Sequence, residues 1–228
     1  MCTNYVTTVR DEIRVRLNLE PPTFDYEPEL WPGYKGPMLI ADFEWRLAVF
    51  GLVPYFSKDG KDFRHTYNAR SETADVRSSY RWAWRRRQFA LIPMQAFFEP
   101  NYESGKPVRW RIHQVDGEPF TVAALWDSWT PKDSPDRLLH SFSMLTINAD
   151  RHPLMGRFHA PGDEKRSLVV VPAARRAEWL SAEDPRDFMD SMPLDAFTGS
   201  PDPLPPREKP GVAKQGPQDP PRQQDLFS

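Results

Sequence analysis

The sequence predicts an α+β domain built mainly on antiparallel sheet. Three observations carry this. Strand-like runs dominate, and one pair is a hairpin: residues 108–115 alternate with period two, Asp116-Gly117 supplies the turn, and Phe120 to Trp126 returns. The helix-like stretches are short and fall in no β-α-β rhythm. Finally, composition changes near residue 199: residues 199–228 hold eight prolines and almost no apolar side chains until the end. That reads as one domain, 1–198, followed by a disordered tail, 199–228.

The elements follow in order. Val9, Ile13, Val15 and Leu17 alternate with charges and suit a short helix or a strand, of which the helix is preferred, and Pro21-Pro22 ends it. Pro21, Pro22, Pro28, Pro32 and Pro37 mark residues 21–37 as a loop without regular elements. Met38-Leu39-Ile40 opens a strand, and Arg46 to Tyr55 forms a second one paired with it. Tyr80 to Phe89 reads as a helix with aromatic and basic residues, and Ala90 to Pro93 as a short strand. Ser141 to Ile147 is apolar enough for a central strand. Ser167 to Pro172 is a buried strand, with short helices expected over Ala173 to Leu180 and Pro185 to Met192.

A chain of 228 residues with 39% hydrophobic residues, 14 Phe, 8 Trp and 7 Tyr can build one substantial core. The net charge of −2 announces no nucleic acid, so any DNA-binding surface must be local. The single cysteine excludes a disulfide framework and a cysteine-based metal site. Asn4 to Glu20 carries charges throughout, unlike a secretory signal, and no run reaches the length of a membrane span. The expected compartment is the reducing cytoplasm, in association with the nucleoid, and no cofactor or membrane contact is implied. With no assembly signal, the chain is read as a monomer.

Three stretches carry chemistry. Cys2 follows Met1 directly. Cysteine is small enough for the initiator methionine to be removed, which leaves an α-amine and a thiol on one residue. The amine condenses with an aldehyde to an imine, and the thiol closes a five-membered thiazolidine. In water both groups titrate within about two units of neutral pH, so each is expected to hold a reactive fraction. Glu99 ends the apolar run Gln95-Ala96-Phe97-Phe98, where a carboxylate is either paired or held for proton transfer. Arg81, Arg85, Arg86 and Arg87 interleave with Trp82 and Trp84, a pattern that suits a groove tracking phosphates as well as a solvated face.

Together these pieces resemble the SOS response-associated peptidase (SRAP) family, whose members bind and covalently cap abasic sites in single-stranded DNA. Cys2 stands behind Met1. Gly51-Leu52-Val53-Pro54 resembles the family's strand end. Asn68-Ala69-Arg70-Ser71-Glu72-Thr73 matches Asn-Ala-Arg-x-Glu-Thr in every fixed position. Ile92-Pro93 through Phe97-Phe98-Glu99 follows the next motif, and Thr146 and His159 the last. The resemblance covers roughly residues 2–185. It implies a barrel-like, mostly antiparallel sheet with flanking helices. It makes Cys2 the nucleophile, with Asn68, Glu99 and His159 beside it, and Arg70 a phosphate contact. Phe56, where tryptophan is common, becomes a stacking residue, with Arg81, Arg85 and Arg86 as further DNA contacts. Departures are Thr3-Asn4 for the usual Gly-Arg, Pro100 for tryptophan, and Ala160 to Arg166 inserted after His159.

The tail ends Gln223-Gln224-Asp225-Leu226-Phe227, which resembles the bacterial sliding-clamp binding peptide, with Gln223, Leu226 and Phe227 as anchors. Two other functions share these residues. A terminal cysteine with His159 and Asn68 resembles a cysteine peptidase able to remove its own Met1. An adaptor binding single-stranded DNA and the clamp needs no chemistry at Cys2. The covalent reading also admits lyase activity, because an unclosed imine leads to β-elimination.

Overall fold

The computed structural model describes residues 2–190, 192, 193 and 195–205. The elements are β1 (Tyr5–Thr7), α1 (Arg10–Val15), β2 (Glu29–Leu30), β3 (Lys35–Ile40), β4 (Glu44–Phe50), β5 (Asn68–Arg70), α2 (Arg81–Arg85), β6 (Phe89–Asn101), β7 (Val108–Gln114), β8 (Phe120–Trp129), β9 (Leu139–Asn148), β10 (Arg166–Leu168), β11 (Val170–Val171), α3 (Arg176–Leu180) and β12 (Phe197–Pro201). The α+β expectation holds. No described helix is long and apolar enough to cross a membrane.

Five strands close on themselves. β8 pairs β9, β9 pairs β4, β4 pairs β3, β3 pairs β6, and β6 returns to β8. Most contacts are antiparallel, but β4 and β5 run parallel to β9. Side-chain alternation then fills two cores. Met38, Phe50, Ala90, Ile92, Val122, Phe142 and Met144 join one cluster. Their strand neighbours Leu39, Leu91, Ala123, Leu125 and Leu145 join the other, beneath Trp84, Trp179 and Phe188 from α2, α3 and the turn beyond. Because both faces are covered, these strands read as nearly continuous apolar runs. Each fully buried large side chain contributes about 1.5–3 kcal/mol. The Trp179 indole fastens α3 to β6 by donating to the Ala90 carbonyl at 2.8 Å.

One pairing and several boundaries differ from the sequence expectation. Residues 108–126 form no hairpin, because the long strand β6 takes β8 along its first half and β7 along its second, and β7 completes its pairing with β12. The proline-rich stretch carries β2 and the start of β3, because Leu30 pairs with Tyr5 and Lys35 with Val49. The strand expected to reach Tyr55 stops at Phe50, since Gly51 turns at φ +113°. A Cβ there would lie 2.5 Å from backbone of Phe63. The helix expected over Tyr80 to Phe89 is only Arg81–Arg85, and Arg87 adopts φ 54° to turn the chain into β6. Residues 167–172 are two strands rather than one. β10 pairs β9, β11 pairs β8, and Val169 bonds to both neighbours as the chain steps across. The helix expected over Pro185 to Met192 is a 3₁₀ turn, Pro185–Phe188, capped by Asp184. β12 runs across the compositional boundary at residue 198 and pairs with β7 as far as Pro201.

Candidate active site

The site forms where the N-terminal segment meets the second half of β6. Antiparallel pairing of Tyr5 with Phe97, and the Phe98 amide donating to the Asn4 carbonyl at 3.2 Å, carry Cys2 alongside Phe98–Pro100. Cys2 is fully buried, and its thiol donates to the Asn4 carbonyl at 3.3 Å. From the other side β5 brings Asn68, whose Nδ2 donates to the Cys2 carbonyl at 2.7 Å. The Tyr80 hydroxyl at the start of α2 donates to the Asn68 carbonyl at 3.1 Å, which fastens α2 to this strand.

Glu99 and His159 come together across 60 residues of chain. His159 Nε2 lies 3.0 Å from Glu99 Oε2, with both side chains buried. The backbone explains the meeting. Asn101 bridges to Phe158, and the His159 amide donates to the Pro100 carbonyl at 2.9 Å. His159 itself adopts φ 66°. The inserted loop supports that conformation, because Lys165 Nζ donates to the carbonyls of His159 at 3.2 Å and Ala160 at 2.9 Å. The insertion therefore holds His159 in the site.

A cavity of about 500 Å³ opens beside these groups, bordered by Asn4, Tyr67, Glu99, Tyr102, Arg109 and His159. Burial pushes the Cys2 thiol far above the ordinary thiol range, and the charge of Glu99 adds to this. This corrects the expectation of a reactive thiolate fraction at neutral pH: the thiol enters the site protonated. Asn4 donates to Glu29, which also receives Arg109 Nη2 at 2.5 Å. Arg109 stacks on the Phe98 ring at 3.3 Å and pairs with Asp202 just beyond β12. Among the described residues no cluster of three His, Cys, Asp or Glu side chains is placed to hold a metal.

The other expected contacts lie around the site. Arg70 is half exposed at the end of β5, and its Nη1 pairs with Glu164 Oε2 at 2.7 Å. Glu164 also accepts from Arg166 at 2.7 Å, and buried Arg166 grips Glu72 through two further bonds of 2.9 and 2.7 Å. Burial alone would raise the Glu72 carboxyl, but the Arg166 bonds and charge together with backbone amide hydrogen bonds outweigh it and leave Glu72 below its ordinary range. Phe56 is exposed and meets Tyr55 edge-on at 5.3 Å; Tyr55 meets Trp82 at 6.3 Å. The guanidinium groups of Arg81 and Arg85 sit 5.7 and 5.6 Å from the Trp82 ring. Arg86 instead turns to Asp127, 3.7 Å away on β8. Gln223, Leu226 and Phe227 lie outside the described residues.

Sequence reasoning missed Tyr67, Arg109, Tyr55, Lys165 and Glu164. Tyr67 and Tyr55 sit beside recognised motifs, which is a signal of sorts. The others depend on contacts between distant segments. His152 is a structural clip: its Nδ1 accepts from the amides of Leu154 and Met155, and its Nε2 donates to the Met192 carbonyl at 2.8 Å.

Comparison with known proteins identifies the family. The family model described as SOS response associated peptidase (SRAP) matches residues 1–199. The "Abasic site processing protein YoqW" of Bacillus subtilis is 28% identical over 153 residues, 64% of this chain and 63% of YoqW. "Abasic site processing protein YobE" of the same organism is 28% identical over 152 residues. The chain thus spans less than two thirds of the length of these curated relatives. A crystal structure from Bordetella bronchiseptica superposes with a TM-score of 0.83 at 31% identity, covering 89% of this chain and 100% of that one. One from Bacteroides thetaiotaomicron shares the fold at TM-score 0.72 and 16% identity, covering 87% of this chain and 90% of that one. Matching that family from residue 1 to residue 199, across every strand that builds the site, the chain belongs to the SOS response associated peptidase (SRAP) family.

Proposed function

We propose that the chain, once Met1 is removed, captures the aldehyde of an abasic site in single-stranded DNA as a thiazolidine on Cys2. The observation that carries this reading is the convergence of Asn68 on the Cys2 backbone, with Cys2 alongside the strand that brings Glu99 to His159, and these last two border one cavity. The names of YoqW and YobE, abasic site processing proteins, point the same way.

The chemistry follows from the groups present. Glu99 takes a proton from the Cys2 ammonium, the freed amine adds to C1′ of the opened sugar, and that proton and a second from the nitrogen pass through Glu99 to the sugar oxygen, which leaves as water and leaves a protonated imine. The thiol then adds to the imine carbon, the C=N pair moves onto nitrogen, and the thiol proton passes to Glu99. A buried thiol resists ionisation in the empty site, so the positive charge of the protonated imine supplies the drive for this last step. Asn68 orients Cys2 without adding charge. His159 holds Glu99 and faces the same cavity, placed to hydrogen-bond the opened sugar. Both nucleophilic atoms belong to one residue, so proximity supplies much of the acceleration.

DNA binding follows from the flank that α2 fastens to Asn68. Tyr55, Phe56 and Trp82 offer ring faces for unpaired bases, and Arg81 and Arg85 beside Trp82 offer charge to phosphates. Arg70 is a further phosphate contact once Glu164 yields it. Arg86, engaged with Asp127, contributes least. The terminal Gln223, Leu226 and Phe227 remain a proposed anchor for a sliding clamp, to be tested with the isolated peptide.

The test mixes the purified protein with single-stranded DNA carrying one abasic site. A heat-stable band on a denaturing gel, with the mass of protein lacking Met1 plus DNA minus water, is the expected result, and C2A should bind without forming it. Binding with no covalent product, in protein already lacking Met1, would sink the proposal in favour of an adaptor.

A further inference from the structure

Tyr67 stands immediately before Asn68, and its ring borders the cavity shared with Glu99 and His159. The ring is held from behind. It meets Phe50 edge-on at 5.9 Å, and Phe50 in turn stacks on Phe142 and meets Tyr5. Its backbone is fixed as well, because the Met144 amide donates to the Tyr67 carbonyl at 3.0 Å. One dipeptide therefore supplies both the amide that holds Cys2 and an aromatic wall of the cavity. Phenylalanine would pack against Phe50 equally well, so this contact does not account for the hydroxyl.

The hydroxyl lies within the field of the site. Burial raises it above the ordinary phenol range, and the charge of Glu99 raises it further. It therefore stays protonated through the neutral range, as a donor beside the two groups assigned to the chemistry.

We propose that Tyr67 is a further catalytic residue, its hydroxyl donating a hydrogen bond to the C1′ oxygen of the opened sugar as the Cys2 amine adds. The proposal rests on the abasic-site reading above. In that step the C–N bond forms and the π pair of the carbonyl moves onto oxygen. The amine proton reaches the oxygen through Glu99. Tyr67 keeps its own proton and stabilises the charge that builds on oxygen before water leaves. A preorganised donor of this kind contributes about 100–1,000-fold where water is excluded. This cavity is open, so a loss of about 10–100-fold is expected here.

The experiment is Y67F, which keeps the ring and removes the donor. Two quantities are compared with wild type: the single-turnover rate of covalent capture at saturating DNA, and the Kd for the same strand carrying a tetrahydrofuran site that has no aldehyde. The expected result is a rate lower by about 10–100-fold with Kd unchanged within about twofold and an unchanged thermal midpoint. A rate equal to wild type overturns the proposal while leaving the capture reading intact. Loss of affinity matching the loss of rate also overturns it, because the hydroxyl would then serve binding alone. If wild type forms no covalent product, the capture reading falls and this inference falls with it.

Discussion

Replacing Glu164 with glutamine tests whether Arg70 meets DNA phosphate. A phosphate arriving at Arg70 competes with the Glu164 carboxylate, 2.7 Å from the guanidinium. The two side chains are 52% and 32% exposed, so water screens them, and such a pair is worth about 0–1 kcal/mol. The upper end corresponds to about a fivefold change in an equilibrium constant. Glutamine keeps a carbonyl oxygen that still accepts from Arg166 and Asn148, and Arg166 keeps both bonds to Glu72. The local structure therefore has reason to persist. E164Q is expected to bind single-stranded DNA about two- to fivefold more tightly. One extra phosphate contact should steepen the dependence of log K on log salt by about 0.7. The assay is fluorescence anisotropy with a labelled strand across a salt series, in wild type, E164Q, R70A and the double variant. Removing a negative charge tightens binding everywhere to some degree, so the double variant is the control. The reasoning is refuted if E164Q gains as much in the R70A background as in wild type, or if affinity and slope do not move.

Two further outcomes follow from the geometry around Cys2. N68A removes the 2.7 Å bond to the buried Cys2 carbonyl, and leaving that acceptor unpaired costs about 1–3 kcal/mol. Thermal denaturation should show that loss, and covalent capture should slow by at least about tenfold as Cys2 loses its orientation. The pH dependence comes from the buried thiol, whose pKa the fold raises above its ordinary value of 9.0. Above that pH the unfolded chain releases a proton that the folded chain retains, so stability is flat below it and falls as pH rises beyond. Comparing urea unfolding of wild type and C2A across that range should show wild type losing ground only on the alkaline side. Parallel curves would mean that the thiol is not buried in solution.

Legibility in the sequence differed from element to element, for physical reasons. Strands β7 and β8 and the turn between them were visible because alternation and an Asp-Gly turn are local properties, but their partners were not: β7 pairs β6 and β12 while β8 pairs β6 and β9, so the expected hairpin does not form. Gly51 was visible as a motif residue, but its meaning was not: only the close backbone of Phe63 explains why the strand stops there. The basic helix was over-extended because propensity cannot see that Arg87 must turn the chain into β6. Likewise the proline-rich stretch looked irregular, since the pairing of Leu30 with Tyr5 joins segments 25 residues apart.

By itself, the sequence determined the sheet-dominated class and the family motifs, in which Cys2, Asn68, Arg70, Glu99 and His159 stand. These follow from side-chain chemistry and short-range pattern, which a linear chain displays directly. The tertiary structure decided the closure of β6 onto β8, the meeting of Glu99 with His159, and the burial that keeps the Cys2 thiol protonated. It also decided that Glu164 neutralises Arg70 and that Tyr67 faces the cavity. Those outcomes depend on distances through space and on exclusion of water, and neither quantity exists until the strands have found their partners.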